Sequence, residues 1–145
     1  MNLIRQETDY ALRLISELGN VADSGSLSAK VLAQKTDVPY EFACKILQKL
    51  HDVDLVLSIM GPKGGFRLAK PTADITLLEV ISAVQGPLTI NNCALRQGCC
   101  DRQDVCPLTD KLNELQDYVE KYFQAITLEN VLNQSKLKKE TVNAT

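Results

Sequence analysis

Apolar residues recur at helical spacing from the start of the chain. In MNLIRQETDYALRLISELG, Ala11, Leu14, Ile15 and Leu18 fall on one helical face, and Gly19 with VADSGS breaks the pattern. A short helix is predicted from Ser28, a good N-cap residue, through AKVLAQK. TDVP then reads as a turn, with Asp37 and Pro39 as punctuation and Pro39 suited to a first helical turn. In PYEFACKILQKLHD, Phe42, Ala43, Ile46, Leu47 and Leu50 share an inner face, while Glu41, Cys44, Lys45, Gln48 and Lys49 share an outer one. Two short helices around a tight turn, the second polar outside, predict a helix-turn-helix.

LVLSIM and FRLA read as two short strands, joined by GPKGG, a turn with three glycines. A helix-turn-helix followed by a hairpin is the pattern of a winged helix. ADITLLEVISAVQGP predicts another helix, ended by Gly86 and Pro87. Pro107 then opens a long helix in which Leu108, Leu112, Leu115, Val119, Tyr122 and Ile126 are spaced 4-3-4-3-4. That alternation is a seam of average period about 3.5, which requires a partner helix; its own domain could supply one, but a symmetric dimer is the better expectation. TLENVLNQ predicts a short terminal helix and SKLKKETVNAT a polar, frayed tail. The expected fold is mainly α with a small β-hairpin: a winged helix-turn-helix domain plus a long dimerisation helix. The expected division is 1–86 for the winged domain, 87–106 for a cysteine-rich loop, 107–134 for the dimerisation and terminal helices, and 135–145 for a disordered tail.

Composition narrows the class. A chain of 145 residues fits one domain, and 45% hydrophobic residues are too many for full disorder. The opening stretch carries charges throughout and does not read as a signal peptide, and no apolar run of about 18 residues offers a membrane span. A cytoplasmic protein is expected. Of its five cysteines, four fall between Cys93 and Cys106. In a reducing compartment such a cluster suits metal ligation or redox sensing better than disulfides. The net charge of −2 is uninformative by itself. Residues 1–70 hold nine Lys/Arg against eight Asp/Glu, and residues 71–145 hold seven against ten, so the N-terminal part is the one suited to face a polyanion. No catalytic set is visible. His51 stands alone and reads as a surface or edge histidine, and GPKGG lacks the spacing of a phosphate loop. No enzyme activity is expected.

An α-helix fits the major groove of double-stranded DNA, and residues near its N-terminus reach base edges. Tyr40, Glu41, Cys44, Lys45 and Gln48 occupy that position, and Lys49 lies further along, where it would meet phosphate. Ser28 joins this set at the start of the first helix of the pair, and the wing offers Lys63 and Arg67 for phosphate or the minor groove.

ETDYALRLI, the wing GPKGGFRLAKP, ITLLEVISAVQGPL and a cysteine triad ending in CPL occur in that order and spacing. In these stretches the chain resembles the Rrf2 family of winged-helix transcription regulators, the group that includes the IscR and NsrR types. The resemblance runs from about residue 2 to residue 134. It implies a homodimer crossed by the long helix and bound to a palindromic operator. It also implies an iron–sulfur cluster, 2Fe-2S or 4Fe-4S, that senses redox state, nitric oxide or iron–sulfur supply. The family loop carries three cysteines, the last two commonly separated by five residues. On that pattern the ligands are Cys93, Cys100 and Cys106, with Cys99 as the alternate to Cys100. Three thiolates leave one position open. Asp9 matches a place where an NsrR-type member supplies a carboxylate from the partner subunit.

Two departures stand out. Asp54 in HDVDLV occupies a position where the family usually has glycine and a left-handed backbone, which Asp tolerates better than most residues. Cys44 stands where the IscR type has a glutamate involved in sequence discrimination, so base preference does not transfer. The alternatives are a cluster-free regulator of the same fold using thiol oxidation or zinc, and an iron–sulfur electron-transfer protein. The loop lacks the CxxC pairs usual for zinc, and an electron carrier has no need of a helix-turn-helix and wing.

Overall fold

A computed structural model describes residues 2–21, 25–91 and 100–144. Helix α1 spans Gln6–Gly19 and buries Thr8, Ala11, Leu14, Ile15 and Leu18, the stripe that its period dictates. Helix α2, Ala29–Thr36, begins at Ser28, whose hydroxyl accepts the Val31 N–H at 3.2 Å. It ends where Asp37 turns left-handed at φ 54°, a conformation that Asp tolerates. Helix α3, Tyr40–Asp52, buries Ala43, Ile46, Leu47 and Leu50. Phe42, expected with them, is 43% exposed and meets Tyr10 of α1 edge-on, ring centroids 6.0 Å apart. The reason is angular: Phe42 lies at the border of the buried stripe, where it covers the α1–α3 seam from outside. Asp54 takes φ 60°, the left-handed backbone expected there, and the chain turns directly into the hairpin.

Strands β1, Val56–Ile59, and β2, Gly65–Leu68, pair antiparallel with Val56 opposite Leu68 and Ile59 opposite Gly65. Leu27 adds a bridge on the other edge of β2, exchanging both backbone hydrogen bonds with Phe66 at 2.7 and 3.0 Å. Gly65 is required at this crossing, because a β-carbon there would strike the Leu27 carbonyl. A 3-10 turn, Thr72–Asp74, leads to helix α4, Leu77–Gln85. Thr76 and Glu79 form a reciprocal capping box at its start, and Lys70 adds an ion pair to Glu79 at 2.7 Å. Burial opposes ionisation of Glu79, but the Lys70 and Thr76 hydrogen bonds outweigh it and hold the carboxyl below its ordinary range.

Beyond Gly86, Leu88 is buried and residues 88–90 are held by one side chain. Gln116 donates to the Leu88 carbonyl at 2.6 Å and accepts the Ile90 N–H at 3.0 Å. Gln116 belongs to helix α5, Thr109–Ala125, which packs on α4. The long helix is thus shorter than its seam: Leu108 caps it, and Ile126 lies past its end in extended backbone. There the Ile126 carbonyl accepts the Leu77 N–H at 2.9 Å, and Leu128 N–H donates to Ile75 at 2.8 Å.

That clasp sets the last helix, α6, Leu128–Asn143, on the winged domain. Leu128 and Leu132 enter the same core as Leu14, Ile15 and Leu18. Gly19 leaves the space for them, since a β-carbon there would lie 2.6 Å from a Leu132 methyl. Two expectations are corrected. The terminal helix is not short, and residues 135–143 are helical where a disordered tail was expected, because no Gly or Pro interrupts a run that carries Leu, Lys and Glu. Nor does the terminal helix stand apart with the dimerisation helix, because its first turns close the core of residues 1–86. Accordingly, Leu128→Ala is expected to cost about 2–4 kcal/mol in urea unfolding of the whole winged domain. Removing residues 127–145 should abolish its cooperative transition; an unchanged transition would separate α6 from that core.

A candidate nucleic-acid interface beside two thiols

Helix α3 displays its outer face because its inner one is occupied. Tyr40, Glu41, Lys45 and Gln48 are exposed on it and Cys44 is half-buried among them. These five expected side chains are brought together on one surface. The Tyr40 hydroxyl, one turn from Cys44, hydrogen-bonds its sulfur, and that bond raises the phenol pKa above its ordinary value, with a smaller contribution from thiolate charge. Gln48 donates to Asp52 at 2.7 Å within the helix.

Other expected contacts are placed differently. Ser28 spends its hydroxyl on capping α2. Lys63 is exposed at the tip of the wing, whose backbone is tied down by Ser26 Oγ donating to the Lys63 carbonyl at 3.0 Å. Arg67 is half-buried on β2 and lines a cavity of about 490 Å³ with Leu18, Leu57, Lys70 and Thr72. Lys49 leaves the outer face altogether. Its ammonium donates to Glu7 Oε2 at 3.1 Å and to the Val84 carbonyl at 3.2 Å. One cation was missed by sequence reasoning. Lys30, exposed in the first turn of α2, shares a groove with Tyr40, Gln34 and Val38. A cation on the first helix of such a pair can meet the phosphate backbone. On sequence alone it is one lysine among the sixteen Lys and Arg of the chain.

Cys106 sits one turn before α5. The Leu108 N–H first, and then Thr109, favour its thiolate and hold the thiol below its ordinary pKa, against a smaller opposing effect of burial, while the Thr109 hydroxyl donates to the Gln103 carbonyl at 3.1 Å. Its carbonyl also accepts the Thr109 N–H at 3.2 Å. Cys100 is exposed and unbridged, and Cys106 is half-buried and unbridged. Cys93 and Cys99 lie outside the described residues, and among those described no group of three or more His, Cys, Asp or Glu is set to hold a metal. The donor chemistry still fits iron: one thiol is biased to the thiolate that metals require, and a second is accessible. Asp9 is half-exposed and paired with Arg13 at 2.7 Å, so it must release that guanidinium before it can ligate anything. His51 places Nδ1 3.0 Å from the Val56 carbonyl, a local bond that fixes the α3–β1 junction.

A family model described as Rrf2, iron-dependent transcriptional regulator, matches residues 4–134. The HTH-type transcriptional regulator NsrR of Oceanobacillus iheyensis is 30% identical over 107 residues, covering 68% of this chain and 72% of that one. The fold matches CymR, the global cysteine regulator of B. subtilis, with a TM-score of 0.77 at 22% identity, covering 92% of this chain and 98% of that one. IscR of T. potens matches with a TM-score of 0.74 at 19% identity, covering 91% and 87%.

The environment of Cys106 has a direct consequence. In a variant with the other four cysteines replaced by Ser, its alkylation rate should rise with pH along a curve whose midpoint lies below the roughly 8.5 of a free thiol. Thr109→Val should move that midpoint upward. A midpoint at the ordinary value in both proteins would show that the turn before α5 does not stabilise the thiolate.

Proposed function

The chain belongs to the Rrf2 family of transcriptional regulators, and on that premise we propose that it is a homodimer whose binding to a palindromic operator is gated by an iron–sulfur cluster. The ligands in this reading are Cys93, Cys100 and Cys106, with Cys99 as the alternate and Asp9 of the partner subunit as a possible fourth donor. The observation that carries it is the placement of two unbridged thiols, Cys100 and Cys106, on the stretch that leads into α5. The family description, iron-dependent, supports iron as the metal. A bound cluster supplies a centre that reacts with oxidants or nitric oxide. The rest is done by the chain's own groups. Leu88 and Ile90 are tied to α5 by Gln116, and Cys106 opens the same helix, so ligation of the thiols holds the segment between α4 and α5 in one arrangement.

On DNA, α3 enters the major groove and presents Tyr40, Glu41, Cys44, Lys45 and Gln48 to base edges. Glu41 can accept from cytosine N4 and Lys45 can donate to guanine O6 and N7. Lys63 and Lys30 meet phosphate. The second copy covers α5, where Leu108, Leu115, Tyr118 and Tyr122 are exposed, Tyr118 at 66% and Tyr122 at 54%. Among the described residues no helix is long and apolar enough to cross a membrane. A regulator of DNA acts where the DNA lies, and we place it in the cytoplasm.

The gating is tested by purifying the protein without oxygen, assaying iron, sulfide and zinc, and measuring operator affinity of metal-loaded and metal-free dimers at one salt concentration. Equal iron and sulfide should be found, Cys93→Ser or Cys106→Ser should abolish both, and single replacement of Cys99 and Cys100 should select the third ligand. Affinities should differ about tenfold or more, roughly 1.4 kcal/mol. Zinc in place of iron, or a difference produced by thiol oxidation alone, would give the function to the cluster-free reading.

The dimer has its own test. Leu115→Glu with Val119→Glu should yield monomers in sedimentation, because two like charges would be buried unpaired in the seam. A variant that still sediments as a dimer would show that the copies meet elsewhere.

A further inference from the structure

Lys49 was expected to reach DNA phosphate, yet its ammonium points the other way. It lies between two negative groups on other helices. One is the Glu7 carboxylate in the first turn of α1, at 3.1 Å. The other is the Val84 carbonyl, at 3.2 Å, among the last carbonyls of α4, which have no partner within their own helix. A lysine placed there satisfies an orphan acceptor and meets the negative end of the α4 dipole.

The neighbouring residue completes a joint. Gln85, the last residue of α4, accepts the Arg5 N–H at 3.1 Å and the hydroxyl of fully buried Thr8 at 2.7 Å, and donates to the Leu3 carbonyl at 3.0 Å. The start of α1 and the end of α4 are thereby locked together, and Lys49 fastens α3 to both. The other side-chain bonds of α3 are local: Gln48 to Asp52 within the helix, and His51 to Val56 just beyond it. Among the described residues, then, Lys49 makes the hydrogen bonds that join α3 to α1 and α4. The remaining attachment is the edge-on Phe42–Tyr10 contact at the seam and apolar burial of Ala43, Ile46, Leu47 and Leu50, which is non-directional and tolerates small rotations of the helix.

We propose that Lys49 is a positioning residue for DNA recognition: through Glu7 and the Val84 carbonyl it sets the rotation of α3 on α1 and α4, and it does not contact phosphate. Base readout needs side chains held within roughly 0.5 Å of their productive geometry, so loss of the clamp costs specificity first. Non-specific binding depends on total phosphate neutralisation and is spared.

The proposal rests on α3 being the DNA-reading helix, and the test separates the two. An operator is selected from random duplexes with the full-length protein. Its affinity, and that of an unrelated duplex of equal length, are measured against salt for the native chain, Lys49→Met, Glu7→Gln and the double variant. Operator affinity should fall about tenfold in Lys49→Met, with the salt slope unchanged and the unrelated duplex bound within about twofold. Glu7→Gln should also weaken operator binding, although it removes a negative charge. The double variant should match the worse single one, because both changes break one contact. Glu7→Gln sits on the surface and keeps the question answerable should Lys49→Met fold poorly. A salt slope reduced by about one in Lys49→Met, with both duplexes weakened alike, would make Lys49 a phosphate contact and overturn the proposal. Tighter operator binding by Glu7→Gln would overturn it too. Failure of the native chain to select any sequence would instead remove the DNA-reading role of α3.

Discussion

The inner face of α3 must be buried before its outer face can be shown to anything. Ile46, Leu47 and Leu50 lie in one core with Leu14, Ile15 and Leu18 of α1, and each such side chain contributes about 1.5–3 kcal/mol when fully removed from water. Every other element is arranged around that burial. Helix α2 closes one side with Leu32 and Ala33, the hairpin contributes Val56, and α4 adds Val80 and Val84. The last opening is sealed by Leu128 and Leu132, which arrive more than a hundred positions after Gly19, the residue whose missing side chain admits them. The winged domain is therefore complete only when the end of the chain has folded onto its beginning.

That closure has a mechanical result. The chain leaves the core after Leu88 and returns to it at Ile126, with the thiols of Cys100 and Cys106 between these points. The excursion is anchored at both ends. Gln116 holds residues 88–90, and the Leu77–Ile126 and Ile75–Leu128 hydrogen bonds hold the return. Strain introduced in the cysteine segment meets fixed points on α4 and α5. At the far end of α4 from its capping box, the Val84 carbonyl and Gln85 connect to α1 and α3. Helices α3 and α5 thus both attach to α4.

The polar groups are distributed so that few of them compromise the core. Thr8 is fully buried and satisfied by Gln85, and Gln116 is buried and satisfied by backbone on both sides of its amide. Among the described residues no buried side-chain nitrogen or oxygen lacks a partner. Among the described residues Lys30, Lys45 and Lys63 are exposed cations outside the ion pairs, while Lys35, Lys49 and Lys70 are paired with Glu17, Glu7 and Glu79.

Local chemistry settles what the sequence determines by itself. Helical period places α1 and α3 and their buried stripes. Ser28 and Asp37 mark the ends of α2, and the run of glycines places the wing turn. The left-handed backbone at Asp54 was expected from the family resemblance, which places glycine there, and Asp tolerates it. The five residues on the outer face of α3 follow from the same period. The remaining features depend on pairs far apart in the chain. Lys49 and Glu7 are an ordinary lysine and glutamate until packing sets α3 across α1, 42 positions away. Phe42 and the terminal helix were misplaced because period says which residues share a face, not which border is covered or by what. The thiolate bias of Cys106 arises from Leu108 and Thr109, which come beside its sulfur only once α5 begins at Thr109. Sequence fixes periodicity and turn chemistry because these act over a few residues. Tertiary structure alone decides which charges neutralise one another, because that depends on distances no local pattern encodes.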